Sequence, residues 1–262
     1  MLTFNSLEWL GIGVTVLIMG MSKGGFPVSG ITLPILVLIW PEQGEAARSA
    51  VSFMLPLLCV MDIVGVILYR GKPDWSHIKK LLPGTIAGIT VASIFFVSAS
   101  SISFSDRSLK LVIGLLGLFF TFFQVYTRIK GTPASPSAAA THKRASVYGF
   151  SAGLTSTIAH AAGPVMQMYF LPTGLAKSQF AATTVYFFLF LNAIKLIPFA
   201  LLGRFSKEQL VADLWRLPII PFGVLIGDGL VKIMKEEQYI RFIYVTLALT
   251  SLLLIYRAVT GS

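Results

Sequence analysis

Apolar residues run along this chain in eight long stretches, at roughly 7–40, 47–69, 79–99, 108–127, 147–171, 179–203, 212–231 and 237–257, separated by short polar or basic loops. The stretches are longer than barrel strands and do not alternate apolar with polar, so they predict helices. About 20 residues at 1.5 Å each cross a bilayer once, and most of the stretches fit one crossing. The first does not. At 34 residues it is too long for one straight helix and short for two, and its centre reads Gly20-Met21-Ser22-Lys23-Gly24-Gly25-Phe26-Pro27-Val28-Ser29-Gly30. Adjacent glycines free the backbone, and a proline removes a donor and clashes with the preceding turn. The pattern therefore predicts a break, or a re-entrant hairpin, in segment 1.

The pattern also repeats. Arg128–Arg144 reads RIKGTPASPSAAATHKR, a Pro/Ser/Ala-rich linker with basic ends. It divides the chain into an N-terminal membrane repeat (1–127), an extramembrane linker (128–146) and a C-terminal membrane repeat (147–262). At a shift of 138 residues Gly11 meets Gly149, Gly25 meets Gly163, Pro34 meets Pro172 and Pro83 meets Pro221. The shared offset points to two four-segment halves. Segment 5 is then the counterpart of segment 1, broken or re-entrant near Gly163-Pro164, although its length fits a single crossing. If both are re-entrant the halves are inverted; if both cross they are parallel. The length of segment 5 favours eight crossings. The fold class expected is an all-α integral membrane protein.

Composition strengthens that reading. Of the 262 residues 55% are hydrophobic and only 12% charged, against about 25% charged in a soluble domain. Too few polar groups remain to cover a water-facing surface, so the lipid bilayer is the first partner. The net charge of +10 would suggest nucleic acid in a soluble protein. Here the basic residues gather in loops, where they set orientation and meet headgroups, so no nucleic-acid partner is expected. Their distribution predicts cytoplasmic termini and a cytoplasmic linker 128–146 in the cell membrane. No Lys or Arg precedes Lys23, so no cleavable signal peptide is expected. The lone Cys59 reads as packing, and Trp9, Trp40, Trp75 and Trp215 fall at segment ends or in loops, as an interfacial belt requires. Phe119-Phe120 and Phe187-Phe188 read as lipid-facing, and His77 and His142 as loop residues. Gly84 and Gly88 form a Gly-x-x-x-Gly spacing suited to packing within the chain or, less economically, in a homodimer.

Candidate chemistry sits at the two interruptions. A broken helix at the midplane presents a positive helix end to an anion. Lys23 adds a full charge, whose unpaired burial costs about 3 kcal/mol on insertion scales. Ser22, Lys23, Gly24 and Gly25 are therefore candidates to receive an anion, the two glycines through their amides. Snorkelling of Lys23 to headgroups is the alternative. The matching stretch of segment 5, TSTIAHAAGP, offers Thr155, Ser156, His160 and Gly163, with Gln167 one turn later; Ser22 aligns with His160. Hydroxyls in membrane helices also bond back to their own backbone. In segment 6, Asn192 and Lys195 share one face, with Lys195 read as a second basic site residue or as the partner of Asp62. Asp62 is the only acid inside segment 2 and His160 the only histidine inside a segment; each is a candidate ion-pair or proton-coupling residue. Thr183 and Thr184 are weaker candidates for the lining. No Walker loop, metal-ligand spacing or nucleophile elbow occurs, so neither an enzyme nor a cofactor is expected.

Several of these stretches, in this order, are similar to those of the TauE/SafE, or sulfite exporter, family of membrane permeases. They are MSKGGFPVSG followed by LPIL; Arg48 to Asp62 with LPLL and then MDIVGVILYRGKPDW; LLPGTIAGI; TSTIAHAAGPVMQMYFLP; TTVYFFLFLNAIKLIPFALLG; and LPIIPFGVLIGDGL. The likeness covers nearly the whole chain and is to the branch with Ser-Lys-Gly-Gly in the first half and Ala-His-x-x-Gly-Pro in the second. Phe26-Pro27-Val28-Ser29 departs from the more usual glycines. The resemblance implies a permease of two related halves, exporting a small sulfur-containing anion such as sulfite or an organosulfonate. A passive anion channel and a permease for a non-sulfur organic anion are the rival readings.

Overall fold

A computed structural model of the chain describes residues 6–26, 28–40, 46–71, 73–101, 141–160, 162–170, 177–233 and isolated positions elsewhere. Segments 4 and 8 and most of the linker lie largely outside the described residues. Every regular element among the described residues is a helix. In chain order these are α1 (Ser6–Lys23), α2 (Ser29–Ile39), α3 (Ala46–Leu68), α4 (Trp75–Ser101), α5 (His142–Ala159), α6 (Ala162–Phe170), α7 (Lys177–Leu201), α8 (Lys207–Leu214) and α9 (Ile219–Ile233).

Segment 1 is two helices. α1 stops at Lys23, Gly24 and Gly25 form a turn in which Gly25 takes φ 96°, and α2 restarts at Ser29. Segment 5, which fits one crossing by length, is also two helices. α5 ends at Ala159, His160 adopts the left-handed conformation at φ 47°, and α6 starts at Ala162. The break falls ahead of Gly163-Pro164 because Pro164 is tolerated in the first turn of a new helix, where its missing N–H has no partner to lose. α5 begins at His142, inside the stretch assigned to the linker, and His77 lies in the first turn of α4 rather than in a loop. Segment 7 also differs from one straight helix. α8 carries a capping box of Ser206 and Gln209, and α8 and α9 meet at a bend of 55°.

α3 and α7 each contain 20 residues, Ser49–Leu68 and Ala182–Leu201, long and apolar enough to cross a membrane; the bent pair α8–α9 is a broken span or a re-entrant loop, and adds a third crossing only in the first case. The exposed apolar side chains of α7 and α9, among them Ile197, Leu201, Phe222 and Leu225, give these helices faces suited to lipid. Phe187 is not among them; it is fully buried, because it faces the core that α7 shares with α6.

Packing crosses between the halves. α1 lies along α9, α4 along α5, and α3 along α7. Both long-helix contacts are zipped by glycines. A Cβ on Gly24 would land on the Val224 carbonyl, and one on Gly227 would land on that of Met21. Gly84 and Gly88 meet Ser146 and Phe150 of α5 in the same way, and Gly149 and Gly153 answer from α5. The Gly-x-x-x-Gly of α4 is thus used within the chain. Backbones this close gain dispersion contact that larger residues would prevent. Two cores result. One joins α1, α2, α3 and α9 around Met19, Leu36, Phe53 and Val224, and the other joins α4, α5, α6 and α7 around Leu81, Ala152, Tyr169 and Phe187.

Candidate functional site

Where α3 crosses α7, polar side chains from both breaks converge. Along α7 from Phe188 to Asn192 to Lys195, the facing positions on α3 run back from Asp62 towards Val51.

The first group forms around Lys23, the last residue of α1. Its Nζ lies 2.6 Å from Oδ1 of Asp62 and 4.4 Å from the centre of the Phe188 ring. Asp62 is fully buried, and its Oδ2 accepts a hydrogen bond from Asn192 Nδ2 at 2.6 Å. Removing both charges from water costs several kcal/mol per ion, and only close geometry with further hydrogen bonds offsets it. The ring face beneath the ammonium and the amide behind the carboxylate supply those contacts.

The second group forms around Lys195, which has no exposed surface. Its ammonium donates to the Ser156 carbonyl at 3.0 Å and to Ser156 Oγ at 2.9 Å, and lies 2.9 Å from His160 Nδ1. His160 Nε2 lies 2.8 Å from the Val51 carbonyl. A carbonyl only accepts, so Nε2 carries a hydrogen; an ammonium only donates, so Nδ1 accepts. With Lys195 as an ammonium the imidazole is neutral, and the pair carries one positive charge. All three ammonium hydrogens are used. The left-handed backbone of His160 swings its ring out of α5 towards the Val51 carbonyl.

These two groups hold two ammonium ions and one carboxylate, a surplus of one positive charge, and they lie within Coulombic range of one another. Asp62, for which the sequence named Lys195 as a candidate partner, pairs with Lys23 instead. Asn192 occupies the level of Asp62 on α7, and Lys195 stands one turn beyond, at the level of His160.

The remaining candidates are placed less directly. The amides of Gly24 and Gly25, expected to face an anion, donate instead to the carbonyls of Gly20, Met21 and Ser22. They close the last turn of α1, the usual fate of amides where a helix tightens at its end. Ser22 Oγ donates to the Met19 carbonyl, Thr155 to Ser151 and Thr157 to Gly153; all three bond back to their own helix. Thr183 accepts from the Asp74 amide and donates to Gln179, and Thr184 donates to Phe180. Gly163 is half-buried on α6. The side chain of Gln167 lies outside the described residues. No cluster of metal-ligating side chains occurs among the described residues.

Two tyrosines that the sequence did not single out add ties, one at the first break and one at the far end of α6. Tyr69, just past α3, donates to the Gly24 carbonyl at 2.9 Å. Tyr169 on α6 lies 2.8 Å from Nδ1 of His77. His77 precedes the apolar part of α4; burial draws its pKa below 6.5, and the nearby Asp74 carboxylate partly opposes this. Phe188 and the Val51 carbonyl were likewise missed. Neither residue type signals a ligand, and only the three-dimensional crossing places them beside a charge.

The family model described as "Sulfite exporter TauE/SafE" matches residues 10–254, nearly the whole chain. No curated protein and no solved structure matches it.

Proposed function

The chain belongs to the sulfite exporter TauE/SafE family, a family of membrane transporters, and from that membership we propose that it is a secondary transporter, exporting a small sulfur-containing oxyanion such as sulfite or an organosulfonate by alternating access. The observation that carries this reading is the buried surplus of positive charge where the two broken segments meet. Lys195 and the neutral His160 share one positive charge that no carboxylate among the described residues offsets, while Lys23 and Asp62 balance each other. A buried uncompensated charge is costly, and a bound anion removes that cost. Ammonium groups, a serine hydroxyl and an amide suit the several acceptor oxygens of an oxyanion. An inside-negative potential favours exit by about 2.3 kcal/mol per 100 mV for each net negative charge moved.

The architecture fits alternation between two related halves, 1–127 and 147–262, joined by a cytoplasmic linker. Under the 138-residue shift α1 corresponds to α5 and α4 to α9, so the pairs α1–α9 and α5–α4 exchange places, and α3–α7 maps onto itself. Two equivalent units leaning on a shared α3–α7 crossing can rock about it. Eight segments, with segments 1 and 5 broken and segment 7 bent, accommodate the described helices.

The test is flux of radiolabelled sulfite into proteoliposomes, comparing the wild type with Lys23→Ala and Lys195→Ala. Saturable flux with counterflow, lost in Lys195→Ala at normal folding, is the expected result. Fast, non-saturating flux without counterflow would identify a channel. Wild-type liposomes that move sulfonates or carboxylates but no sulfite would replace the substrate.

A further inference from the structure

We infer that Asp62 is the substrate's rival for Lys23, and that the anion binds there together with a proton that converts this rival into a hydrogen-bond donor. The inference rests on the transport reading above and adds to it the coupling ion and the residue that carries it.

Of the two buried lysines, Lys195 has every ammonium hydrogen engaged, by the Ser156 carbonyl, Ser156 Oγ and His160. Lys23 ends α1 at the break, retains 8% exposure where Lys195 has none, and faces one carboxylate oxygen and an aromatic ring. The lysine that an arriving anion can reach is Lys23, and Asp62 Oδ1 already sits 2.6 Å from it. An oxyanion on that ammonium would face the carboxylate as a like charge with no water to screen it, an arrangement two anions resist by sharing a proton. Oδ2 is engaged by the Asn192 amide, which leaves Oδ1 as the oxygen to be protonated. A proton there points towards Lys23, and the acid that excluded the anion then donates to it. The proton comes from the solution that supplies the anion and leaves with it on the other side, whereupon Asp62 closes on Lys23 again.

Among the described residues the surroundings of Asp62 offer no equally placed substitute. α1 contributes Lys23, α7 contributes Asn192 and Lys195, the α5–α6 break contributes His160, and α3 itself contributes Cys59. On α9, Asp228 is paired with Lys232 at 2.7 Å. α2 carries no ionisable side chain. Asp213 and Arg216 lie at the α8–α9 bend, where Arg216 sits over the Phe53 ring, nine residues before Asp62 and so roughly 14 Å away along α3.

Radiolabelled sulfite in proteoliposomes tests this, with the membrane potential clamped at zero. The wild type is expected to accumulate sulfite about tenfold per unit of inward acid gradient, the ratio one coupled proton supports. Asp62→Asn is expected to lose this accumulation, and whatever sulfite–sulfite exchange it retains is expected to be independent of pH, since no proton can then bind between Lys23 and the anion. Accumulation that persists in Asp62→Asn would overturn the inference, because the proton would then ride on sulfite or on another residue, while the transport reading would stand. Absence of sulfite exchange in the wild type would instead remove the transport reading for sulfite and the inference with it. Where Asp62→Asn does not fold, infrared difference spectra decide. Sulfite added to the wild type should produce a protonated-carboxyl band that moves in Asp62→Glu, and a spectrum without such a band would sink the proposal.

Discussion

At the first break the helix stops on a lysine followed by two glycines; at the second it stops on a histidine in the left-handed conformation. The first break closes with opposite charges, Lys23 against Asp62, and is electrically neutral. The second closes with a lysine and a neutral imidazole and keeps a positive charge. The backbone device is shared, whereas the electrostatics are not. A helix can be interrupted in a membrane wherever its loose ends are paired, but what pairs them decides whether the site still attracts an ion. Nearly equivalent positions in the two halves thus differ in their electrostatics, one closed by an internal counter-ion and the other carrying a standing positive charge.

This contrast predicts unequal consequences of cutting each closure. Asp62→Ala leaves the Lys23 ammonium buried without its partner and should destabilise the protein by about 3–5 kcal/mol, read as the fall in unfolding free energy in detergent. Adding Lys23→Met should recover most of the loss; a double variant no better than the single one would mean that the pair is not what holds the first break. His160→Ala should cost less, about 1–3 kcal/mol, since it removes hydrogen bonds at Lys195 and the Val51 carbonyl without stranding an opposite charge. A larger loss than that of Asp62→Ala would reverse the ranking of the two breaks. The smallest effect separates the tyrosine ties. Because the folded-state pKa of His77 lies below 6.5, the unfolded chain takes up its proton first as the pH falls. The stability linked to His77 is therefore complete above 6.5 and is lost as the pH drops from there towards the folded value. Thermal scans should show that decline, and His77→Phe should remove it. Tyr69→Phe at the first break should leave it in place.

The breaks were legible to different degrees. Gly24, Gly25 and Pro27 act locally, through backbone freedom and a missing donor, so the end of α1 could be read from a dozen residues. The second break stood three residues before the Gly-Pro that advertised it, because a left-handed histidine has no such local signature. Its conformation is held by contacts with Val51 and Lys195, 109 and 35 residues away. The polar residues of the site were recognisable by type, since a charge in an apolar segment is conspicuous. Their partners were not, because periodicity gives a helix face but not the rotation or depth of one helix against another. That is why Lys195 could be read as a partner of Asp62 until Asn192 was seen to occupy that level. The amides of Gly24 and Gly25 were misjudged for a related reason. A turn that ends a helix can bond its own N–H groups, and sequence does not reveal whether it does.

The crossed packing of α1 on α9 has a consequence for how the protein is made. α1 has its glycine face ready once Gly24 has been synthesised, but the backbone it fits begins at Ile219. At about 5–20 residues per second, the interval on the ribosome is about 10–40 s. Throughout it the first helix keeps its tightest surface uncovered, open to any other small-residue face nearby. A chain stalled or cut after residue 127 would stay in that state, since the helix that covers α1 is then never made.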